Sequence, residues 1–346
     1  MGYYFELPPY TDTGNGGLTS EQRIALDEDE AIALSGGPGT GKTVVSLWRH
    51  IRNYDLSKRK SLLLTYSKTL ENYLILTADS KNEVAGNAIA RTYCWISNCR
   101  ENRVPKQHFD EIIIDEAQDV EIEKYQTLKQ YSNIISYGAD EAQSLYYPKS
   151  STIEELKEEF NNNEEYELSQ NFRNSKEILL FIKSVFPNIS IPYDTLNNAA
   201  TKGIKPILQK LGWDDFNNNV KENIIEISED FSESTHNIGI LVPSENQVNQ
   251  YYDLLVDKIK CSKYHSNMPR FDVLERIHIT TFKSAKGLEF DTVIIPGFES
   301  YNWFISNADN FSENDYYVAL TRAKLNLFLL CKNAININST DTYEEE

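Results

Sequence analysis

The segment GGPGTGKT, residues 36–43, constrains the fold more than any other part of the sequence. It follows a short apolar run, AIALS at 31–35, and precedes a segment of helical character that begins near Lys42. A glycine-rich loop between a strand and a helix is the P-loop arrangement, in which successive backbone N–H groups point at phosphate oxygens. The segment therefore predicts a nucleotide-phosphate site on an α/β unit.

Residues of this loop have separate tasks. The glycines let the backbone turn back on itself, and the helix N-terminus favours an anion. Lys42 is expected to reach the β- and γ-phosphates, and Thr43 is expected to ligate Mg²⁺. The predicted nucleotide-binding loop is Gly36, Gly37, Pro38, Gly39, Thr40, Gly41, Lys42 and Thr43.

A P-loop also needs a carboxylate for the metal ion and a base for the attacking water. Asp115 closes the apolar run EIIID at 111–115, and Glu116 follows it directly. Because ligands bind at the carboxyl ends of parallel strands, Asp115 is predicted to hold Mg²⁺, directly or through water. Glu116 is predicted to accept the proton of the attacking water. These residues together predict hydrolysis of a nucleoside triphosphate with Mg²⁺.

Short apolar runs alternate with amphipathic segments along the chain, which is typical of parallel sheet with crossover helices. The first series ends with NIISYG at 133–138, and a second begins near Tyr166 and includes LNLFLL at 325–330. At 346 residues the chain has room for two domains of ordinary size. We predict an α/β protein with domains at 1–147 and 148–346.

Composition limits the class of partner. The formal net charge is −18, whereas proteins that hold phosphate backbones usually present a basic field. A nucleic-acid site must therefore be a local patch, or the main partner is a protein. The four cysteines are scattered without metal-binding spacing, so we expect reduced and mostly buried thiols.

Targeting signals are missing from the sequence. No apolar run approaches the roughly 20 residues of a membrane helix, and Met1 to Tyr10 lack a signal-peptide pattern. We expect a cytoplasmic protein with no membrane partner. The acidic segment TYEEE at 342–346 is expected to be a frayed tail.

The segment IIIDEAQDV at 112–120 resembles a motif of the superfamily 1A DNA helicases of the UvrD, Rep and PcrA type. Further blocks occur in that family's order between residues 18 and 324: LTSEQRIAL, LLLTYSKTL, ARTYCW, GADEAQSLY, LSQNFRNS, TTFKSAKGLEFDTVIIPG and YVALTRAK. The resemblance implies two RecA-like P-loop NTPase lobes, each a mostly parallel sheet flanked by helices. ATP and Mg²⁺ would bind between the lobes.

The resemblance assigns further residues to the base and ribose of ATP. Gln22 would read the adenine edge, and Phe172 would stack on the adenine face. An amide can bond adenine bidentately, and an aromatic ring stacks on it. Glu289, in the AKGLEF segment, would hold the ribose.

A second group of residues would act at the γ-phosphate. Arg173 and Arg322 resemble finger arginines, whose guanidinium groups neutralise charge in the transition state. Gln118 and Gln143 resemble polar sensors that connect the γ-phosphate to the nucleic-acid path. ATP binding would draw the lobes together and hydrolysis would release them.

Candidate contacts with single-stranded DNA are Tyr66, Thr92, Trp95 and Lys283. Tyr66 and Trp95 follow apolar runs where members of the family place groups that face the strand, and stacking of rings on bases tolerates any sequence. An aromatic residue after a strand packs in the core about as often. Burial of both rings would therefore favour a function without a strand path.

The chain lacks room for the accessory domains of the family's larger members. Only residues 96–111 lie at the first insertion point, and roughly 259–276 at the second. Lys283 stands where a histidine is usual, and residues 147–149 replace an arginine- and tryptophan-bearing run. The sequence predicts a minimal two-lobe core that hydrolyses ATP without the domains that grip duplex.

Two functions remain open at this stage. The first is an ATP-dependent translocase on single-stranded DNA that unwinds short duplex at most. The second is a regulatory ATPase subunit of a larger repair or antiphage complex, which uses ATP to switch a partner such as a nuclease. A basic groove lined by Lys68, Arg91 and Lys283 would favour the first function.

Overall fold

The structure is a computed structural model that describes two compact units. The N-terminal unit ends at Gln170, and the C-terminal unit extends from Asn171 to Glu346. The described residues are 7–10, 17–55, 59–105, 107–146, 149–189, 191, 193–197, 199, 203–268, 274–308, 311–335, 337 and 339–346.

The N-terminal unit is built on one parallel sheet. Its strands, within the described ranges, are β1 (Ile32–Ser35), β2 (Ser61–Thr65), β3 (Ile89–Arg91), β4 (Glu111–Ile114), β5 (Ile135–Gly138) and β6 (Glu164–Glu167). They are ordered β3-β2-β4-β5-β1-β6, and each described pair is parallel. Its helices are α1 (Ser20–Asp27), α2 (Lys42–Asp55), α3 (Lys68–Asp79), α4 (Glu83–Gly86), α5 (Thr92–Arg100), α6 (Tyr125–Leu128) and α7 (Ile153–Glu159).

The C-terminal unit contains a second parallel sheet. Its strands in the described part of the chain are β7 (Ile207–Lys210), β8 (Ile238–Val242), β9 (Cys261–Tyr264), β10 (Ile277–Thr281), β11 (Phe290–Pro296), β12 (Ala323–Cys331) and β13 (Glu344–Glu345). They are ordered β13-β7-β12-β11-β8-β10-β9. Its helices are α8 (Lys176–Val185), α9 (Tyr193–Asn197), α10 (Phe216–Asp230), α11 (Glu245–Leu255), α12 (Tyr301–Asn307) and α13 (Glu313–Leu320). The prediction of an α/β fold with two parallel sheets is confirmed.

Apolar side chains cover both faces of the first sheet. In β4, Ile112 and Ile114 pack in one cluster, whereas Ile113 packs in another. Successive side chains of a strand point to opposite faces, so both faces of this strand are buried. Helix α2 contributes Leu47 and Ile51 to the Ile113 cluster, which fixes the helix that follows the P-loop against the sheet.

The division between the units lies further along the chain than the sequence suggested. The expected boundary at 147/148 falls on residues outside the described ranges, and the compact units divide at 170/171. The reason is that β6, which contains Tyr166, pairs with β1 and completes the first sheet. The segment around Tyr166 therefore belongs to the first series of strands rather than to the second.

The expectation of a frayed acidic tail is wrong. Residues 344 and 345 form β13, which pairs in parallel with β7. Tyr343 is buried, and Lys210 forms an ion pair with Glu345 at 2.6 Å. The pairing of β13 with β7 and the burial of the Tyr343 ring outweigh the mutual repulsion of the acidic residues at 344–346.

The cysteines are free, and three of the four are buried, as expected. Burial raises the pKa of Cys261 to about 11 and that of Cys331 to about 12. Buried thiols with raised pKa values are poor nucleophiles. No helix in the described ranges is long and apolar enough to cross a membrane.

The buried imidazole of His50 predicts a pH-dependent stability. Its ring nitrogens lie 2.9 Å from Ala85 O and 2.9 Å from Ser61 Oγ. Burial lowers its pKa from 6.5 to about 4. Because the unfolded chain binds this proton more tightly, the free energy of unfolding should be highest above pH 6.5 and should fall as pH decreases towards 4, by on the order of 3 kcal/mol.

Urea unfolding at a series of pH values measures this dependence. His50→Gln removes one titrating group and should make the curve less steep between pH 6.5 and 4. Burial also lowers the pKa of His278, to about 3, so part of the slope should remain. His108→Gln, at an exposed position, is the matched control and should leave the curve unchanged. An unaltered slope in His50→Gln would contradict the prediction.

Candidate nucleotide site

The P-loop has a conformation that requires glycine at two positions. Gly36 and Gly41 have φ angles of +137° and +91°, which L side chains rarely adopt. A Cβ at Gly36 would lie 2.4 Å from Leu168 O, and one at Gly41 would lie 2.3 Å from Gln22 Nε2. The loop therefore packs tightly against α1 and against Leu168, the residue that follows β6, while its backbone turns back on itself.

Lys42 is the first residue of α2 and lies at this loop. Its ammonium donates to Gly36 O at 2.7 Å and to Gly37 O at 2.9 Å. Asp140 Oδ2 lies 3.6 Å away. The side chain is largely buried, so its charge is held at the glycine-rich turn by two carbonyl groups and one carboxylate.

Thr43 and Asp115 present two oxygen groups next to the loop. The Thr43 hydroxyl donates to Asp115 Oδ2 at 2.9 Å. Asp115 is buried immediately after β4, where the sequence placed it. A hydroxyl and a carboxylate are hard oxygen ligands of the kind that Mg²⁺ prefers, so this pair fits the expected metal ion.

Glu116 is connected to the P-loop by a chain of polar contacts. Gln118 Nε2 donates to Glu116 Oε2 at 2.7 Å, and Gln118 Oε1 accepts from the backbone N–H of Asp140 at 3.1 Å. Gln143 Nε2 donates to Asp140 Oδ2 at 2.6 Å, and the same oxygen faces Lys42. Gln118 and Gln143, which resemble sensors in the sequence, thus lie in one network with Glu116 and Lys42.

Asp140 is the residue of this network that sequence analysis did not assign. It receives contacts from Lys42 and Gln143, and its other oxygen caps the following turn through Ala142 N–H at 3.1 Å. Its signal was its position shortly after β5, at the same sheet edge as Asp115. Asp140 is part of the GADEAQSLY block, but the resemblance gave it no role of its own.

The backbone of Glu116 is in the left-handed region, with φ 60° and ψ 46°. For a residue other than glycine this conformation costs about 1–2 kcal/mol. This backbone conformation ends the extended run of β4. The largely buried carboxylate of Glu116 then accepts a hydrogen bond from Gln118. Strain of this kind is concentrated at functional sites, because the surrounding structure holds the side chain in place.

Gln22 lies beside the P-loop, as its predicted role requires. Its Oε1 accepts from Thr19 N–H at 3.0 Å in the capping box of α1, and its Nε2 donates to Thr40 O at 2.9 Å. The side chain therefore fixes the start of α1 to the loop. Its reading of adenine stays a prediction.

The C-terminal unit brings Arg173 and Glu289 together. Arg173 donates through Nε at 2.8 Å and through Nη2 at 2.5 Å to the same oxygen, Glu289 Oε1. Burial works to raise the pKa of Glu289, but the charge and hydrogen bonds of Arg173 outweigh it, so the pKa lies below its usual value. Two residues with separate predicted roles thus neutralise one another.

Arg322 and Phe172 differ in exposure. Arg322 is only 1% exposed, and its guanidinium donates to Val318 O at 2.9 Å, Leu288 O at 3.4 Å and Thr321 Oγ1 at 3.2 Å. Phe172 is 42% exposed, which suits a ring that stacks on a base. Their roles at ATP stay predictions.

The placement of Trp95 and Thr92 corrects two expected strand contacts. Trp95 is 7% exposed and packs its ring against Phe109 and Tyr131. Thr92 is fully buried and donates to Thr65 O at 3.1 Å. Both side chains form part of the interior of the unit, because α5 turns them towards β2 and the apolar cluster on that face.

Tyr66 lies in a half-buried group of aromatic rings. Its ring centroid is 4.5 Å from that of Tyr146 and 5.5 Å from that of Tyr93. Lys124 Nζ lies 3.8 Å from the Tyr93 centroid. Burial raises the pKa of Tyr66 well above its usual value, so the phenol stays neutral. This group, which we call the tyrosine cluster, keeps part of its surface accessible.

Basic residues expected along a strand path are paired with carboxylates. Lys283 lies 3.7 Å from Asp315, and Arg91 lies 3.3 Å from Glu71. Burial raises the pKa of Asp315, against the opposing effect of the Lys283 charge. Lys283 and Arg91 therefore contribute less positive potential to a nucleic-acid site than the sequence alone suggests.

A buried ion pair behind the loop fixes α2 to β4. Arg49 Nε lies 2.6 Å from Glu111 Oε1, and the guanidinium also donates to Glu28 O and Glu30 O. Asn53 donates to the second carboxylate oxygen at 2.8 Å. The helix that begins with Lys42 is thereby joined to the strand that ends before Asp115.

Arg49→Met should destabilise the protein by about 3–5 kcal/mol, because it leaves the Glu111 carboxylate buried without its counter-charge. Urea unfolding measures the effect. The double variant Arg49→Met, Glu111→Leu should recover part of the loss. Arg52→Met, on the same helix but in an exposed ion pair with Asp27, is the control and should cost at most about 1 kcal/mol. A double variant less stable than Arg49→Met would contradict this account.

The P-loop, the carboxylates after β4 and the two parallel sheets define a nucleotide-hydrolysing core of the helicase type. The chain belongs to the Schlafen group 3 DNA/RNA helicase domain family, which residues 29–201, half of the chain, match. Residues 265–334 match the UvrD-like helicase C-terminal domain. The predicted superfamily 1 helicase-like core is confirmed. No curated protein matches the chain by sequence.

Two solved structures are similar to this chain to different degrees. Dbp5 of S. cerevisiae bound to RNA and ADP BeF3 has a TM-score of 0.62 at 12% identity, with 93% of this chain and 85% of that chain covered. The C-terminal domain of a possible DNA helicase from Lactobacillus plantarum WCFS1 has a TM-score of 0.37 at 16% identity, with 50% of this chain and 98% of that chain covered. The likeness to Dbp5 shows the fold alone, two RecA-like units.

Proposed function

We propose that the chain is an ATP-dependent translocase on single-stranded DNA, a helicase-like ATPase that uses Mg²⁺. The observation that carries the proposal is the network that joins Glu116, through Gln118 and Asp140, to the P-loop lysine. A base, a polar sensor and a phosphate-binding ammonium in one connected group can report the state of the γ-phosphate. A structural glycine turn would not need them.

In this proposal the N-terminal unit supplies the hydrolytic groups. Lys42 binds the β- and γ-phosphates, and Thr43 and Asp115 hold Mg²⁺, which would neutralise phosphate charge. Glu116 accepts the proton of the attacking water, while Gln118 keeps its carboxylate oriented. Gln143 senses the γ-phosphate through Asp140.

The C-terminal unit supplies the remaining nucleotide contacts. Arg173 and Arg322 neutralise charge at the γ-phosphate, and Phe172 stacks on adenine. Glu289 holds the ribose. Because Arg173 and Glu289 are paired with each other, binding of ATP exchanges this ion pair for contacts with the nucleotide.

Steady-state ATP hydrolysis with and without single-stranded DNA tests the proposal. We expect stimulation of about tenfold or more, and a loss of about 10²–10⁴-fold in Glu116→Gln, because the amide cannot accept the proton. Single-stranded RNA of the same length measures the preference between nucleic acids. The variant also serves as the blank for contaminating ATPases.

Glu123→Gln provides the matched control, since this exposed carboxylate lies outside the network. It should hydrolyse ATP like the wild type. Hydrolysis that is indifferent to both nucleic acids would reject translocation for this chain. Hydrolysis that survives in Glu116→Gln would reject the assigned base.

The tyrosine cluster is the proposed contact with the bases of the strand. Replacing Tyr66 by Leu keeps apolar bulk but removes the stacking ring, which is worth about 1–3 kcal/mol per base. The DNA concentration for half-maximal stimulation should rise by roughly tenfold. Tyr193→Leu, at an exposed tyrosine in the C-terminal unit, is the comparison and should not change it. Equal values for the two variants would remove Tyr66 from the strand path.

A regulatory ATPase subunit is the second candidate function. The burial of Trp95 and Thr92, the net charge of −18 and the pairing of Lys283 and Arg91 with carboxylates all favour it. In that function ATP would switch a protein partner, such as a nuclease in a repair or antiphage complex. ATP hydrolysis that ignores nucleic acid but depends on Glu116 would support this candidate over the first.

A further inference from the structure

Asn174 connects two separate segments of the C-terminal unit. It is fully buried, and its Nδ2 donates to Thr321 O at 3.0 Å and to Ala323 O at 2.6 Å. These two carbonyl groups stand on either side of Arg322 in the chain. Both donors of one amide are therefore used to hold the backbone around that arginine.

Asn171 and Asn174 together close the turn that contains Arg173. Asn171 Oδ1 accepts from Arg173 N–H at 2.7 Å and from Asn174 N–H at 2.9 Å. Asn171 is also fully buried. The backbone of Arg173 is thus fixed relative to Asn174, which in turn is fixed to the residues that flank Arg322.

A third segment completes the connection. Arg322 Nη1 donates to Leu288 O, and the next residue, Glu289, accepts from Arg173. The segments 171–174, 288–289 and 321–323 therefore form one closed set of contacts. Both guanidinium groups belong to it, and the Asn174 amide is its direct link between the two arginine-bearing backbones.

We propose that Asn174 is a positioning residue for ATP hydrolysis, which sets the placement of Arg173 relative to Arg322. The inference rests on the proposed function, because it gives both arginines a task at the γ-phosphate. Only a side chain with two donors satisfies both carbonyl groups. Aspartate has the same shape, but its two carboxylate oxygens would face the two carbonyl oxygens without a hydrogen between them. A displacement of about 1 Å in such a group can lower the rate by about 10²-fold.

Asn174→Asp tests the proposal in the full chain. We expect kcat to fall by about 10–100-fold, with the KM for ATP changed by less than about threefold, because arginine placement matters most in the transition state. Asn326→Asp is the matched control. That buried amide lies on β12 in the same unit, and its partner is the hydroxyl of Thr292 at 3.0 Å, which can turn to donate to a carboxylate.

A double-variant cycle separates positioning from general stability. If Asn174 acts through the arginines, Asn174→Asp should lower kcat much less in an Arg173→Ala background than in the wild type. Should Asn174→Asp fail to fold, Asn174→Ser, which keeps one donor, replaces it in the cycle. All assays are made well below the unfolding midpoint of each variant.

The possible results test the proposed function and the positioning role of Asn174 separately. A wild type that does not hydrolyse ATP would reject the proposed function itself. A wild type that does, together with Asn174 variants of unchanged kcat, or with equal effects in both backgrounds of the cycle, would overturn the positioning role alone. A selective and non-additive loss of kcat supports it.

Discussion

The fixed position of helix α2 on the first sheet is the constraint on which the candidate site depends. The helix begins with Lys42, its apolar face packs on Ile113, and Arg49 joins it to Glu111 at the start of β4. The same strand ends immediately before Asp115. Because one buried ion pair and one apolar cluster determine the offset of helix and strand, they also determine the distance between Thr43 and the Asp115 carboxylate.

A shared electrostatic pattern runs through the candidate functional residues. Cations with predicted roles at ATP or at nucleic acid are held by carboxylates or carbonyl groups of their own unit: Lys42 by Asp140, Arg173 by Glu289, Lys283 by Asp315 and Arg322 by backbone oxygens. This agrees with a chain of net charge −18. In the proposed function, binding of a nucleotide or a strand would replace these carboxylates and carbonyl groups by phosphate. Such exchange makes affinity depend on which pairs release their cations rather than on a general basic field.

The Glu116 network and the asparagine-held arginines show two ways of fixing the proposed catalytic groups. In the first, a carboxylate in a strained backbone conformation is oriented by a buried amide. In the second, an amide fixes backbone on both sides of an arginine, and the arginine itself bonds to carbonyl groups. In both, buried amides whose donors and acceptors are used hold charged groups in place, and a buried amide left without partners would be costly.

The sequence by itself determined the two parallel α/β sheets, the P-loop, the carboxylates after β4 and the family, because these follow from local patterns of apolar runs, glycines and motif order. It could not determine that β6 joins the first sheet or that the acidic end forms β13, since strand pairing depends on contacts between distant segments. Nor could it separate Tyr66, which keeps an accessible surface, from Trp95, which packs in the core, because both follow apolar runs. Asp140 had only a positional signal after β5, and its contact with Lys42, like the contacts of Asn174 with residues 321 and 323, became visible only in the tertiary structure. Their hydrogen bonds and ion pairs join segments that are distant in the sequence. The spacing of residue types along the sequence does not show such contacts.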